Sequence, residues 1–125
     1  MLVPGDFTDL LAWQEASALV EDIHEFVRHM RGVGTVEAAK QLLSATESIS
    51  SNIAEGYGRG LTRDYCRFLK IAIGSAMEVE TRVHNAVRSR KVPAELAQAP
   101  IKRVRRTRAL TVGLLHWVER QLKTG

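Results

Sequence analysis

Cysteine is almost absent: Cys66 is the one thiol in 125 residues. No intramolecular disulfide can form, and a reducing compartment is the simplest expectation. Aromatic residues are scarce at 6%, so the core must be mostly aliphatic side chains and alanine. That composition suits closely approaching helices better than a β-sandwich. No apolar run approaches the ~18 residues a membrane span requires. The opening segment, Met1 to Asp6, has neither the basic start nor the apolar run of a secretory leader. A cytoplasmic protein with no membrane partner is therefore expected.

What is present is ordinary for a globular chain, with 45% hydrophobic and 26% charged residues, and residues 1–125 fit one domain. The net charge of +4 is unevenly spread. Residues 1–60 hold four Lys/Arg against nine Asp/Glu, 61–100 hold seven against four, and 101–125 hold seven against one. An acidic half beside a basic half predicts a polarised surface.

Apolar spacing predicts four helices, over about 7–31, 35–55, 62–90 and 100–123. In the first, Ala16, Val20, Ile23, Val27 and Met30 alternate steps of four and three, which puts them on one stripe. Asp6 or Thr8 is the expected N-cap, and Gly32 and Gly34 end the segment. Thr35 is expected to cap the second helix, whose seam is Ala39, Leu42, Thr46, Ile49 and Ile53. Gly56, Gly58 and Gly60 stop it. Thr62 caps the third, in which Tyr65, Leu69, Ala72, Ala76, Val79, Val83 and Ala86 hold the pattern longest. Pro93 and Pro100 bracket a linker, with Pro100 suited to the start of a helix. Ile101, Val104, Thr111, Leu115, Val118 and Leu122 form the fourth seam. Arg108 interrupts it, at a frayed end or against a carboxylate. Four such helices with short connections predict an all-α, antiparallel up-down four-helix bundle.

Catalytic constellations do not assemble. A di-iron bundle needs two Glu-x-x-His motifs, and only Glu21 with His24 fits; His116 and Glu119 are reversed and Glu80 with His84 is mis-spaced. Cys66 has Arg63, Arg67 and Lys70 nearby, which favours a thiolate, yet no histidine is near it in sequence, and a packing role is the simpler reading. The glycine turn has neither the lysine nor the preceding strand of a phosphate loop. An anion dock at the third helix N-terminus, beside Arg59 and Arg63, competes with a plain turn. No catalytic residue, cofactor or metal is expected, and the low-ranked alternative is a metal-dependent enzyme.

Basic helix faces are the remaining signal. Arg63, Arg67 and Lys70 stand opposite the third seam, and Lys102, Arg103, Arg105 and Arg106 point away from Ile101 and Val104. Spaced cations on rigid helices suit phosphate backbones. With no aromatic platform beyond Tyr57, they suit the shape and charge of structured RNA or duplex. The alternative occupant of the same faces is an acidic protein partner. Gly74 lies on the outer stripe near Ile71, Ile73 and Met77. It reads either as a subunit contact with Met77 or as a tolerated glycine.

The run Ser48-Ile49-Ser50-Ser51-Asn52-Ile53-Ala54-Glu55-Gly56-Tyr57-Gly58-Arg59 resembles the signature of four-helix bundle proteins encoded in ribosomal RNA intervening sequences. Phe68-Leu69-x-Ile71-Ala72-x-Gly74-Ser75-x-x-Glu78 resembles the family's second block, and Leu10-x-Ala12-Trp13-Gln14-x-Ala16 its first helix. The resemblance implies ring-like homo-oligomers, with pentamers the expected form. It also implies kinship with the accessory protein of diversity-generating retroelements, which binds nucleic acid and a reverse transcriptase. Two departures are Gly34-Thr35-Val36-Glu37, where Pro and Glu are frequent, and Ser44-Ala45-Thr46-Glu47, where an arginine is common. Asn52, Glu55 and Gly56 are the motif residues. Ser48, Asn52 and Glu55 share a helical face, where buried register-fixing hydrogen bonds and an intersubunit or ligand surface are the competing readings.

Overall fold

The computed structural model describes residues 5–124. Residues 1–4 of the segment read for a leader lie outside them. Among the described residues there are four α-helices and no strand: α1 Leu11–Arg28, α2 Thr35–Tyr57, α3 Arg63–Arg88 and α4 Gln98–Thr124. Each packs against two others, α1 with α2 and α4, and α3 with α2 and α4. Across α2 and α3, Gln41 meets Arg82, Ser48 meets Ser75 and Gly56 meets Tyr65 and Phe68, so paired residues run in opposite numerical order. No helix among the described residues is long and apolar enough to cross a membrane.

The first helix begins later than its pattern predicts. Asp6 forms a capping box with Asp9, but over a short 3₁₀ turn, Phe7–Asp9. Leu10 then leaves helical geometry at φ −73°, ψ 126°. The Phe7 ring meets Trp13 edge-on at 5.3 Å, so aromatic packing and the capping box hold the bend. The buried stripe of α1 is Ala12, Ala16, Leu19, Ile23 and Phe26, and Met30 just past its end continues it. Val20 and Val27 are half-buried, and Leu19 and Phe26 take the seam places expected of them. Both registers keep the four-three spacing, and the larger Phe26 decides which one faces inward.

Thr35 does not cap α2. Gly34, at φ 79°, occupies the cap and provides no side chain, so Thr35 enters as the first helical residue. Thr62 does cap α3, its hydroxyl accepting from the Tyr65 N–H at 3.2 Å. All seven seam residues read for α3 are buried. In α4 the helix starts at Gln98, so Pro100 falls inside the first turn, where its missing N–H costs nothing. A 3₁₀ turn, Ala94–Ala97, precedes it. Thr107 rather than Ile101 or Leu122 fills the α4 seam.

The core joins Leu19 and Ile23, Leu42, Ile49 and Ile53, Leu69, Val79 and Val83, and Val104 and Val118. Its buried hydroxyls are paired locally. Thr46 donates to Leu42 O and Thr111 to Thr107 O, both at 2.7 Å, and Thr107 donates to Arg103 O at 2.8 Å. Such back-bonding lets a polar residue sit in an apolar seam.

Tyr65 is the exception, buried with a hydroxyl that reaches no partner. Burial, with the nearby Tyr57 adding to it, pushes its phenol up to about 12. The neutral form is thus favoured by folding, and its contribution is complete below pH 10 and lost as pH rises toward 12. Urea midpoints should show a loss of about 1 kcal/mol at pH 11 relative to pH 8 that Tyr65→Phe does not share. Equal pH dependence in the two proteins would refute this account.

Candidate nucleic-acid interface

The capped start of α3 projects Arg63, Arg67 and Lys70 from the side opposite Leu69 and Ala72. Not all of this charge is available. The guanidinium carbons of Arg59 and Arg67 lie 5.0 and 4.5 Å from the Phe68 ring centroid. Asp64 pairs with Arg59 at 3.5 Å and with Arg67 at 3.2 Å, and Glu55 holds Arg59 at 3.0 Å. Arg63 and Lys70 reach no carboxylate. With Cys66, Glu119, Leu122 and Lys123 they line a groove of about 490 Å³ between α3 and α4.

At the start of α4 the outward reading fails for Arg103. Its guanidinium turns to α1, where Asp22 accepts from Nε at 2.6 Å and Glu15 from Nη1 at 3.0 Å. The inward register of Leu19 and Phe26 is what swings Glu15 and Asp22, seven residues apart, to that flank. The Asp22 hydrogen bond holds the Arg103 pKa above its ordinary value despite partial burial. Arg106 also approaches Glu15, at 3.6 Å. Arg105 crosses instead to α3, pairing with Glu80 at 2.8 Å. Glu80 also takes Arg108 at 3.0 Å and His84 at 3.4 Å. Burial opposes ionisation of Glu80, but the Arg105, His84 and Arg108 contacts outweigh it and hold the carboxyl below the usual range. Arg108 therefore stands half-buried beside the seam, against a carboxylate, while Thr107 takes the seam position itself. Lys102 reaches none.

Sequence reasoning missed a second set of cations, Arg88, Arg90 and Lys91, where α3 runs into the connection to α4. The run Arg88-Ser89-Arg90-Lys91 was the available signal. None of the three has a carboxylate partner. The end of α3 closes as a Schellman turn, with Lys91 N–H donating to Ala86 O at 2.9 Å and Arg90 N–H to Val87 O at 3.0 Å. Arg31 N–H donates to Lys91 O at 2.8 Å, tying the end of α1 to this turn.

The signature residues of α2 serve its packing on α3. Ile49 and Ile53 are fully buried. Ser48 meets Ser75 Oγ at 2.9 Å, and Asn52 Nδ2 donates to Ser48 O at 2.7 Å. Gly56 is buried, and a Cβ there would stand 2.9 Å from Tyr65 Cδ1. The expected burial of Glu55 does not occur; it is exposed and pairs with Arg59 across the turn. Over residues 8–113 the chain matches the family model described as 23S rRNA-intervening sequence protein. The chain belongs to that family. No curated protein matches it. Within the matched stretch, Gly56 lets α2 lie close on α3, while Asn52 donates to Ser48 of α2 itself, whose hydroxyl meets Ser75 of α3.

Other candidate chemistry is placed less favourably. Burial raises the Cys66 thiol, with Glu119 adding to it against Lys70, so the nearby cations do not activate it and it packs in the core as its simpler reading expects. Glu21 and His24 are both exposed, and the described residues contain no group of three or more His, Cys, Asp or Glu able to hold a metal. Tyr57 is half-buried, its hydroxyl donating to Gly5 O at 3.0 Å. Gly74 is exposed, and a Cβ added there would meet nothing within 4 Å; Met77 is 54% and Ile71 41% exposed.

Proposed function

We propose that this chain is a non-catalytic, antiparallel up-down four-helix bundle that binds duplex or structured RNA, or duplex DNA, through the α3–α4 face. One observation carries the reading: each end of that face holds cations that pair with no carboxylate among the described residues. Arg63 and Lys70 stand at one end, and Lys102 and Arg88 at the other. Eighteen helical residues separate Lys70 from Arg88, about 27 Å at 1.5 Å per residue. A duplex carries one backbone charge per ~1.7 Å of its axis, so that span faces several phosphates. Such contacts read shape and phosphate rather than base sequence.

The test is fluorescence anisotropy with a 20-base-pair RNA duplex and its DNA counterpart across a salt series. Affinity should fall steeply with salt. Arg63→Gln, Lys70→Gln and Lys102→Gln together should weaken binding about 10-fold or more and flatten the slope by two to three contacts. Arg103→Gln should leave the slope unchanged, because that charge faces Asp22. Absence of binding at 50 mM salt, or binding indifferent to the triple substitution, would sink the proposal.

A homo-oligomer, a pentamer in the family's expected form, belongs to the same reading, as do a cytoplasmic location and kinship with the retroelement accessory protein. Gly74 supports the oligomer, since nothing within one chain uses its missing side chain while Met77 and Ile71 lie exposed nearby. Light scattering should show Gly74→Ala dissociating the assembly. A monomeric wild type, or an intact Gly74→Ala assembly, would reduce Gly74 to a tolerated glycine.

A further inference from the structure

The connection between α3 and α4 borders a largely apolar hollow whose floor the nucleic-acid reading does not use, although it shares the rim cations Arg88 and Lys102. Val87, Ala94, Ala97 and Ile101 floor a groove of about 730 Å³ with His84, Arg88, Lys102 and Arg105 around it. A second groove of about 700 Å³ continues from it across Val87 and Ala94, onto Val92, Pro93 and Leu96. Its polar rim is His29, Arg31, Arg90 and Lys91. No carboxylate lines either groove. His29 and Arg105 are engaged by Glu25 and Glu80, and Arg31 by the Arg28 and Met30 carbonyls. That leaves Arg88, Arg90, Lys91 and Lys102 without an anionic partner.

Arg90 makes this end harder to dismiss as ordinary surface. It holds φ 60° and is the one non-glycine residue with positive φ among the described residues. It occupies the Schellman position where glycine is favoured and a side chain is strained by ~1 kcal/mol. A cation kept in a conformation that glycine adopts freely, on the rim of an apolar groove, points to a ligand that uses the charge.

We propose that this end of the molecule docks an acidic amphipathic helix of a protein partner. The apolar floor takes the partner's i, i+3, i+4 and i+7 side chains, and its flanking carboxylates meet the rim cations. The charge complementarity excludes a basic partner. A nucleic-acid backbone satisfies the rim but has nothing to place on Val87, Ala97 and Ile101.

The probe is a synthetic 18-residue peptide with leucines at helical spacing and glutamates on either flank. Two controls accompany it: a scramble of equal composition, and a version with lysine in place of glutamate. Isothermal titration and amide chemical-shift mapping on the full chain should show the acidic helix binding at least 10-fold more tightly than either control. The shifts should centre on Ala94 and Ile101. Arg90→Gly should weaken peptide binding about 5-fold or more while raising the melting temperature, a combination that loss of folding cannot imitate. Ala94→Glu, an exposed position, should abolish binding. Equal affinity for the scramble, or binding unaffected by Arg90→Gly and Ala94→Glu, overturns the proposal. So does a 12-base-pair RNA duplex that shifts the groove resonances while the peptide does not, which would hand the site to nucleic acid. Arg63→Gln with Lys70→Gln, made without Lys102→Gln because Lys102 lies on the shared rim, should weaken duplex binding and leave this peptide unaffected, so the two readings can fail separately.

Discussion

Gly56→Leu is expected to lower the melting temperature by ~15 °C, a loss of about 4 kcal/mol in a domain of this size. An added Cβ would stand 2.9 Å from Tyr65 Cδ1, 3.1 Å from Phe68 Cβ and 3.3 Å from Tyr65 Cε1. Tyr65 is 1% exposed and has no space into which to swing. The helices must separate, and overpacking of this kind costs about 1–3 kcal/mol even for a methyl-sized addition. Alanine improves helix propensity by ~1 kcal/mol over glycine, so Gly56→Ala should lose no more than about 2 kcal/mol net. Gly113→Ala is the control: it is an exposed glycine on α4 with nothing within 4 Å of a built Cβ, and should gain up to ~1 kcal/mol. Thermal melts by circular dichroism distinguish these outcomes. A Gly56→Leu protein melting within 3 °C of wild type, by the 4 °C per kcal/mol scale appropriate here, would contradict the packing described.

Glu80→Ala should be nearly as damaging, at about 2–3 kcal/mol. One carboxylate, with its side chain 14% exposed, takes Arg105, Arg108 and His84. Removing it leaves Arg108, 33% exposed on the seam side of α4, facing α3 without a counter-charge. Breaking a buried pair costs roughly 3–5 kcal/mol, and solvent access to the arginines reduces that figure. Arg108→Met in the Glu80→Ala background should restore much of the loss, because an apolar side chain of similar length suits that position. The pH dependence has a definite sign. Glu80 is held below the ordinary carboxylate value of 4.5, so its ionised form stabilises the fold at neutral pH, and that contribution fades as pH falls through the folded pKa. Wild type and Glu80→Ala should therefore converge in acid and diverge above about pH 5. Parallel stability curves from pH 3 to 7, or no rescue by Arg108→Met, would count against the hub.

The helices were legible because their apolar spacing is regular, and α3 most of all, where every seam residue read from the pattern is buried. The first stripe is legible at Ala16, Ile23 and Met30 but not between them, because Val20 and Val27 keep the same four-three rhythm as Leu19 and Phe26, and rhythm alone does not say which pair is heavier. The start of α1 was misplaced because a capping box looks alike before a 3₁₀ turn and before an α-helix. Charge was the less legible part. Arg103 and Arg105 read as surface cations, since the carboxylates that hold them lie 81, 88 and 25 residues away in the chain. Nothing in local spacing announces such partners. Arg90 was overlooked for a related reason, because a basic residue at the end of a helix is common and only its backbone angle sets it apart.

The carboxylate clamps on Arg103, Arg105 and Arg108 have a consequence for how the molecule orients at a charged surface. They neutralise the inner arginines against α1 and α3 and leave the α3–α4 face to Arg63, Lys70, Arg88 and Lys102. Exposed Glu21, Glu37 and Glu47 stand on α1 and α2. On a sulfonate resin the protein would therefore be held by one side, and more strongly than a chain of net charge +4 would suggest.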